Sequence, residues 1–138
     1  MGGTAAKLTL LSAFAVALAA CTSDPKQDQV EPNIFPTNYK QEILDTLKNT
    51  LIDPTNVREA FVSDPFLTPG SRDQRYAVCL RYNARNFNRQ YDGNVVRIAF
   101  FFGGRLNQLI EPKQDQCAKA AYKPFPELEK LCLAKSCD

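Results

Sequence analysis

Along residues 38–52, NYKQEILDTLKNTLI, apolar side chains recur every fourth position. Tyr39, Ile43, Leu47 and Leu51 make one stripe, which Leu44 widens, and that spacing predicts an amphipathic helix. Asn38 stands at the N-cap position with Gln41 in the capping-box position. Pro36 precedes the helix, and Pro54 requires it to stop. Downstream the period falls to two. RYAVCLRYN (75–83) and NVVRIAFFF (94–102) are predicted strands, and FGGRLNQLIEP predicts a tight turn at Gly103–Gly104 and a further strand near 105–111. VREAFVS (57–63) also alternates and is read as a strand entered by a turn at DPT, with a short helix as the alternative. LTPGSRDQ (67–74) is read as a loop, and ARNFNRQYDG (84–93) is too long for a two-residue turn. In YKPFPELEKLC, Pro126 suits the first turn of a short helix near 126–133.

These elements predict an α+β fold: one main helix packed on a three- to four-stranded antiparallel sheet, a short C-terminal helix and two disulfides. Pairing Asn83 with Val95 sets Tyr76, Val78, Leu80 and Tyr82 beside Val96, Ile98, Phe100 and Phe102. That wholly apolar face is assigned to the helix. The opposite face then carries Ala77, Cys79, Arg81, Val95, Arg97, Ala99 and Phe101.

Residues 1–20 follow neither period. Their only charge is Lys7, and Leu8–Ala20 is too short for the roughly 20 residues that cross a bilayer core. Charge, short apolar run and small residues form the pattern of a secretory signal. Leu18, Ala19 and Ala20 stand directly before Cys21 and resemble the lipobox of bacterial lipoproteins. That resemblance implies cleavage before Cys21, a diacylglycerol on its sulfur and acylation (palmitate or a similar chain) of the new N-terminus. Thr22 rather than Asp after the cysteine implies the outer membrane more than the inner one. The expected organisation is a signal peptide at 1–20 and a lipidated N-terminus with a flexible tether at 21–36. One α+β domain follows at 37–138, in the periplasm or at the cell surface.

Removing 1–20, which holds one lysine and no acid, leaves 118 residues with 16 Lys and Arg against 15 Asp and Glu. That length supports one core; nothing in the near-neutral balance demands nucleic acid, and export argues against it. Four cysteines remain, an even number suited to an oxidising compartment. They allow three connectivities. Cys132 and Cys137 are close enough to shut a tight terminal loop, which leaves Cys79 with Cys117.

The chain has no histidine, so His-based triads and His general bases have no residue to use, and without histidine or a C-x-x-C the rival reading of the four cysteines as a zinc site is set aside. No catalytic residue, metal or cofactor is expected. For a carboxylate pair suited to glycoside chemistry the body does contain Asp45, Glu59, Asp73, Asp92 and Glu111, but only Glu59 falls inside a predicted strand, the others lying on a helix surface or in turns.

What stands out is arginine. From Arg72 to Arg105 there are seven, opposed by Asp73 and Asp92 alone, a net +5. In the expected register Arg81 faces Arg97, a like-charge pair that costs up to about 1 kcal/mol unless an anion sits between them. With Arg85, Arg89 and Tyr91 of the loop, these residues form a candidate surface for an envelope protein or an anionic envelope polymer. The simpler alternative is a solvated sheet face neutralised by Glu59 or Asp73. The function expected is a non-enzymatic, membrane-anchored envelope lipoprotein, a binding or accessory module acting through the sheet and loop around 81–97. The rival is an inhibitor of a cell-wall-degrading enzyme that inserts loop 84–94, which requires that loop to be rigid and protruding.

Overall fold

The helical stripe forms as α1, Tyr39–Thr50, and buries Ile43, Leu44 and Leu47 against a sheet. The structure is a computed structural model that describes residues 2–3, 33–70 and 74–131. Cys21, Cys132 and Cys137, with the signal and most of the tether, lie outside these residues. The capping box is not made: Asn38 offers no side-chain cap, and Gln41 instead donates to Asp45 Oδ1 at 2.9 Å.

The sheet has six antiparallel strands rather than three or four. They are β1 (Asp53–Val62), β2 (Phe66–Leu67), β3 (Tyr76–Arg85), β4 (Val95–Phe102), β5 (Arg105–Ile110) and β6 (Lys123–Pro124). Their order is β5-β4-β3-β1-β6, and β2 pairs with β3 beyond the end of β1. The four strands with visible periodicity are all present; the ambiguous segment is strand, but it starts at Asp53, so the DPT expected as a turn belongs to it, and it ends at Val62. The two additions are two residues long, too short to show a period, and Leu67 moves from loop to strand. β1 breaks its alternation. Asn56 and Glu59 take left-handed backbone, with φ of 56° and 52°, and the register shifts across them. Val57, Ala60 and Val62 therefore all point inward. The turn between β4 and β5 forms at Gly103–Gly104, with φ of 56° and 76°, the sign that a two-residue hairpin turn of this twist requires.

The expected register between β3 and β4 is wrong by one residue. Tyr82, not Asn83, opposes Val95, so Tyr76 pairs with Phe101, Val78 with Ala99 and Leu80 with Arg97. A one-residue slip exchanges the faces of a strand. Tyr76, Val78, Leu80 and Tyr82 do face α1, but their partners are Phe101, Ala99, Arg97 and Val95 instead of Phe102, Phe100, Ile98 and Val96, so the face is not wholly apolar. Arg81 now opposes Val96, so Arg81 and Arg97 lie on opposite faces and do not form the like-charge pair.

The second face is also covered. Ala77, Cys79 and Ile98 pack under Phe66, Ala120, Tyr122 and a 3-10 turn at Gln114–Cys117. The expected Cys79–Cys117 disulfide holds that cover in place, with Cα atoms 5.7 Å apart. On the helix side, α2 spans Pro126–Glu129, shorter than the expected 126–133, and buries Phe125 and Leu128. The Glu129 carboxylate accepts the Ala60 N–H at 2.9 Å, which satisfies a donor that the β1 bulge leaves off the ladder.

A second carboxylate closes the other edge. Glu42 of α1 accepts the Leu106 N–H of β5 and pairs with Arg105 at 2.7 Å. A charged group bound to a backbone donor contributes more than a neutral one. Glu42→Ala is expected to cost about 1.5–3 kcal/mol in urea unfolding. A loss below a few tenths would show that solvent replaces the contact.

Candidate functional site

β3 has ten residues and runs about 30 Å at the rise of a strand. Its two ends differ. At the end near Tyr76 the chain arrives from the tether. Phe35 stands edge-on to Tyr76 with ring centroids 5.3 Å apart, Pro36 is buried, and Ile34 presses on Gly104. The packed domain therefore begins by Ile34, inside the segment assigned to the tether. At the other end, beyond Arg85, projects the loop that joins β3 to β4.

Asn86 organises that loop. Its side-chain oxygen accepts the backbone N–H groups of Asn88 and Gln90 at 2.8 and 3.0 Å. Its amide nitrogen donates to both carboxylate oxygens of Asp92 at 3.0 Å. Backbone bonds from Arg89 N–H to Asn86 O and from Asn86 N–H to Gln90 O close the turn. The whole loop is then tied sideways to β1. Tyr91 donates its hydroxyl to Asn56 O at 2.6 Å, and the Arg58 guanidinium lies 4.3 Å over the Tyr91 ring. Beneath it, Arg85 pairs with Asp53 at 2.6 Å. The Thr55 hydroxyl, its backbone N–H and then Arg85 hold the Asp53 carboxyl below the usual carboxylate range, against the upward pull of burial.

With its polar groups engaged in this way, the loop carries Phe87 at its tip with 84% of its surface exposed. Asn88, Arg89 and Gln90 flank it, all exposed, and Arg89 takes left-handed backbone with φ 59°. Phe87 is the functional candidate that sequence reasoning passed over. Its signal is there to read: a phenylalanine between two asparagines, in a loop whose other aromatic, Tyr91, carries a polar hydroxyl.

The structure separates the candidate arginines. Arg85 and Tyr91 are structural ties of the loop, and Arg89 stands on its exposed side. Arg81 lies between two rings, 4.7 Å over Phe61 and 5.5 Å from Tyr122, and its enclosed Nε has no hydrogen-bond partner. Among the described residues it makes no ion pair. Arg97 sits on the helix side, donates to Val96 O at 3.0 Å and lies beside the Tyr82 hydroxyl, whose pKa burial raises and Arg97 opposes. The five residues 81, 85, 89, 91 and 97 therefore do not form one patch. A change at Arg81 or Arg85 disturbs packing before it tests binding.

The carboxylates are similarly dispersed. Glu42 and Asp45 share a shallow cleft beside β5, yet Glu42 is engaged by the Leu106 N–H and Arg105. Glu59 is exposed on the β1 bulge. Among the described residues no three His, Cys, Asp or Glu side chains cluster as metal ligands would. No helix among them is long and apolar enough to cross a membrane. No protein-family model, curated protein or solved structure matches this chain.

Proposed function

We propose that this chain is a non-enzymatic lipid-anchored binding module of the bacterial envelope. It holds a rigid loop, residues 86–92, away from its membrane to engage a protein partner. The observation that carries this reading is the polarity of the domain. The chain from Cys21 reaches the fold beside Tyr76, whereas Phe87 projects beyond Arg85 at the far end of the same strand. A loop ordered before binding has little conformational entropy left to lose, and an exposed aromatic at its centre is the side-chain type that anchors protein interfaces.

The inhibitor reading gains from the same geometry. A tight turn held by the Asn86 side chain protrudes as one unit, which is what insertion into an enzyme cleft requires. In both readings Phe87 is the anchor, and Arg81 and Arg97, on opposite faces of the sheet, do not act as a pair.

The test is photo-crosslinking in intact envelopes from a benzophenone amino acid placed at position 87, with a Phe87→Asp chain as competitor. A discrete protein adduct is expected. Phe87→Asp should weaken capture roughly 30-fold or more, as loss of an interface hot spot does, with thermal unfolding unchanged because the ring is exposed. Equal capture by the folded variant would remove the loop from the function. Slowed wall lysis in the presence of the wild-type chain, lost with Phe87→Asp, would select the inhibitor reading.

A further inference from the structure

The end of the sheet opposite Phe87 has its own surface. Ile34, Phe35, Leu67 and Phe102 are large apolar side chains left exposed among the described residues, and all four gather at this end. Phe35 is fixed against Tyr76, and Leu67 opposes Tyr76 across the β2–β3 ladder. Phe102 closes β4, and Ile34 lies on Gly104, where an added Cβ would come within 3.0 Å of it. Two arginines stand at its rim. Arg75 follows the β2–β3 connection, and Arg105, paired with Glu42, leaves 81% of its side chain in solvent. Soluble domains seldom collect exposed apolar groups at one end without something to cover them. Among the described residues the other three exposed large apolar residues are Ile52, near the start of β1, Phe87 in the loop and Ile110 at the end of β5.

The chain itself indicates what covers this end. Only eleven residues separate Cys21 from Asn33, where the described structure resumes. Even fully extended, they reach no more than about 40 Å. Lipid on Cys21 would therefore hold this end, where the tether joins the fold, within about 40 Å of the bilayer. Aromatic and aliphatic side chains beside arginines match the interfacial region, where rings enter the acyl boundary and guanidinium groups meet phosphates. We infer that Ile34, Phe35, Leu67 and Phe102, rimmed by Arg75 and Arg105, form a bilayer-resting surface that orients the domain with Phe87 outward. The inference rests on Cys21 being the lipid attachment point, and the experiment below separates the two.

The chain contains no tryptophan, so a single one introduced into it reports its own surroundings. The full lipidated protein is reconstituted into vesicles of phosphatidylethanolamine and phosphatidylglycerol with brominated acyl chains, as Phe35→Trp, Phe102→Trp and Phe87→Trp variants. Folding of each is checked by thermal unfolding. Phe35→Trp and Phe102→Trp should lose most of their emission to bromine, and Phe87→Trp should lose none. Adding Leu67→Glu to Phe35→Trp should restore emission while the protein still floats with the vesicles. Flotation with no quenching at 35 or 102 would overturn the resting surface and leave the anchor intact. Failure to float would overturn both. Quenching at 87 instead would reverse the orientation. Shielded but unquenched emission at 35, with a doubled mass in detergent, would assign the surface to a second copy of the chain and overturn the proposal.

Discussion

Phe101→Ala is expected to lower the stability of the domain by about 3–5 kcal/mol, while Phe102→Ala should cost under about 1 kcal/mol. The two rings are neighbours on β4, yet Phe101 is 0% exposed and Phe102 43%. Phe101 opposes Tyr76 and lies in the cluster that holds Ile43 and Leu47 of α1, Val78 and Leu80 of β3, and Phe125 and Leu128 at the chain's end. Removing its ring leaves a void among elements that the sheet fixes in place, so little can collapse into it. A domain of this size has about 5–15 kcal/mol in total, so the single change removes a large share. Urea unfolding of the two variants decides the register as well. If Phe102→Ala proved the costlier, the slipped pairing of Asn83 with Val95 would be restored, and Arg81 would again face Arg97.

That register could not be read from the sequence because both strands are apolar on both faces. In VVRIAFFF and YAVCLRYN either parity gives a plausible core. Alternation fixes register only where one face is polar, and here α1 covers one face and the 112–122 segment the other. The helix was legible for the opposite reason: its stripe is apolar on one side and charged on the other. The Gly103–Gly104 turn was legible from chemistry, since few residues other than glycine take positive φ twice in succession. β2 and β6 were not, being two residues long and paired through tertiary contact. The bulges at Asn56 and Glu59 were also hidden, because neither is glycine: asparagine tolerates left-handed backbone without announcing it, and Glu59 takes it at a cost of about 1–2 kcal/mol.

The site was half legible. Loop 84–94 stood out by its length, and the arginines by their number. Counting charge does not show which guanidinium is already engaged. Arg85 is neutralised by Asp53, a residue thirty-two positions away, and Arg58, outside the arginine-rich stretch, turned out to brace Tyr91. A long-range partner leaves no local trace in the sequence. Phe87 differs. Its exposure follows from the Asn86 turn beneath it, and an asparagine whose side chain caps its own loop is a local feature.

The second large effect belongs to the disulfide. Cys79→Ala with Cys117→Ala should lower stability by about 3–4 kcal/mol and Tm by roughly 12–30 °C, the scale for an unfolded chain released from a crosslink of this span. The bond joins residues 38 positions apart, and the loop it closes contains β4 and β5. Its folded-state role is local. Cys79 lies at the centre of the second face, and what covers it there is a single 3-10 turn with Ala120 and Tyr122, too little apolar surface to stay docked on its own strength. Loss of the bond should therefore free residues 112–122 before the sheet opens. Amide exchange should show fast exchange in that segment while β3 and β4 stay protected on the α1 side. Uncovering Ile98, Phe66 and Phe100 would also expose an apolar sheet face, so aggregation should follow the release. A fully protected cover and a loss below about 1 kcal/mol in the double variant would mean that packing alone seats the segment, contrary to the entropic account. The fold would then have no dependence on a non-reducing compartment at this bond.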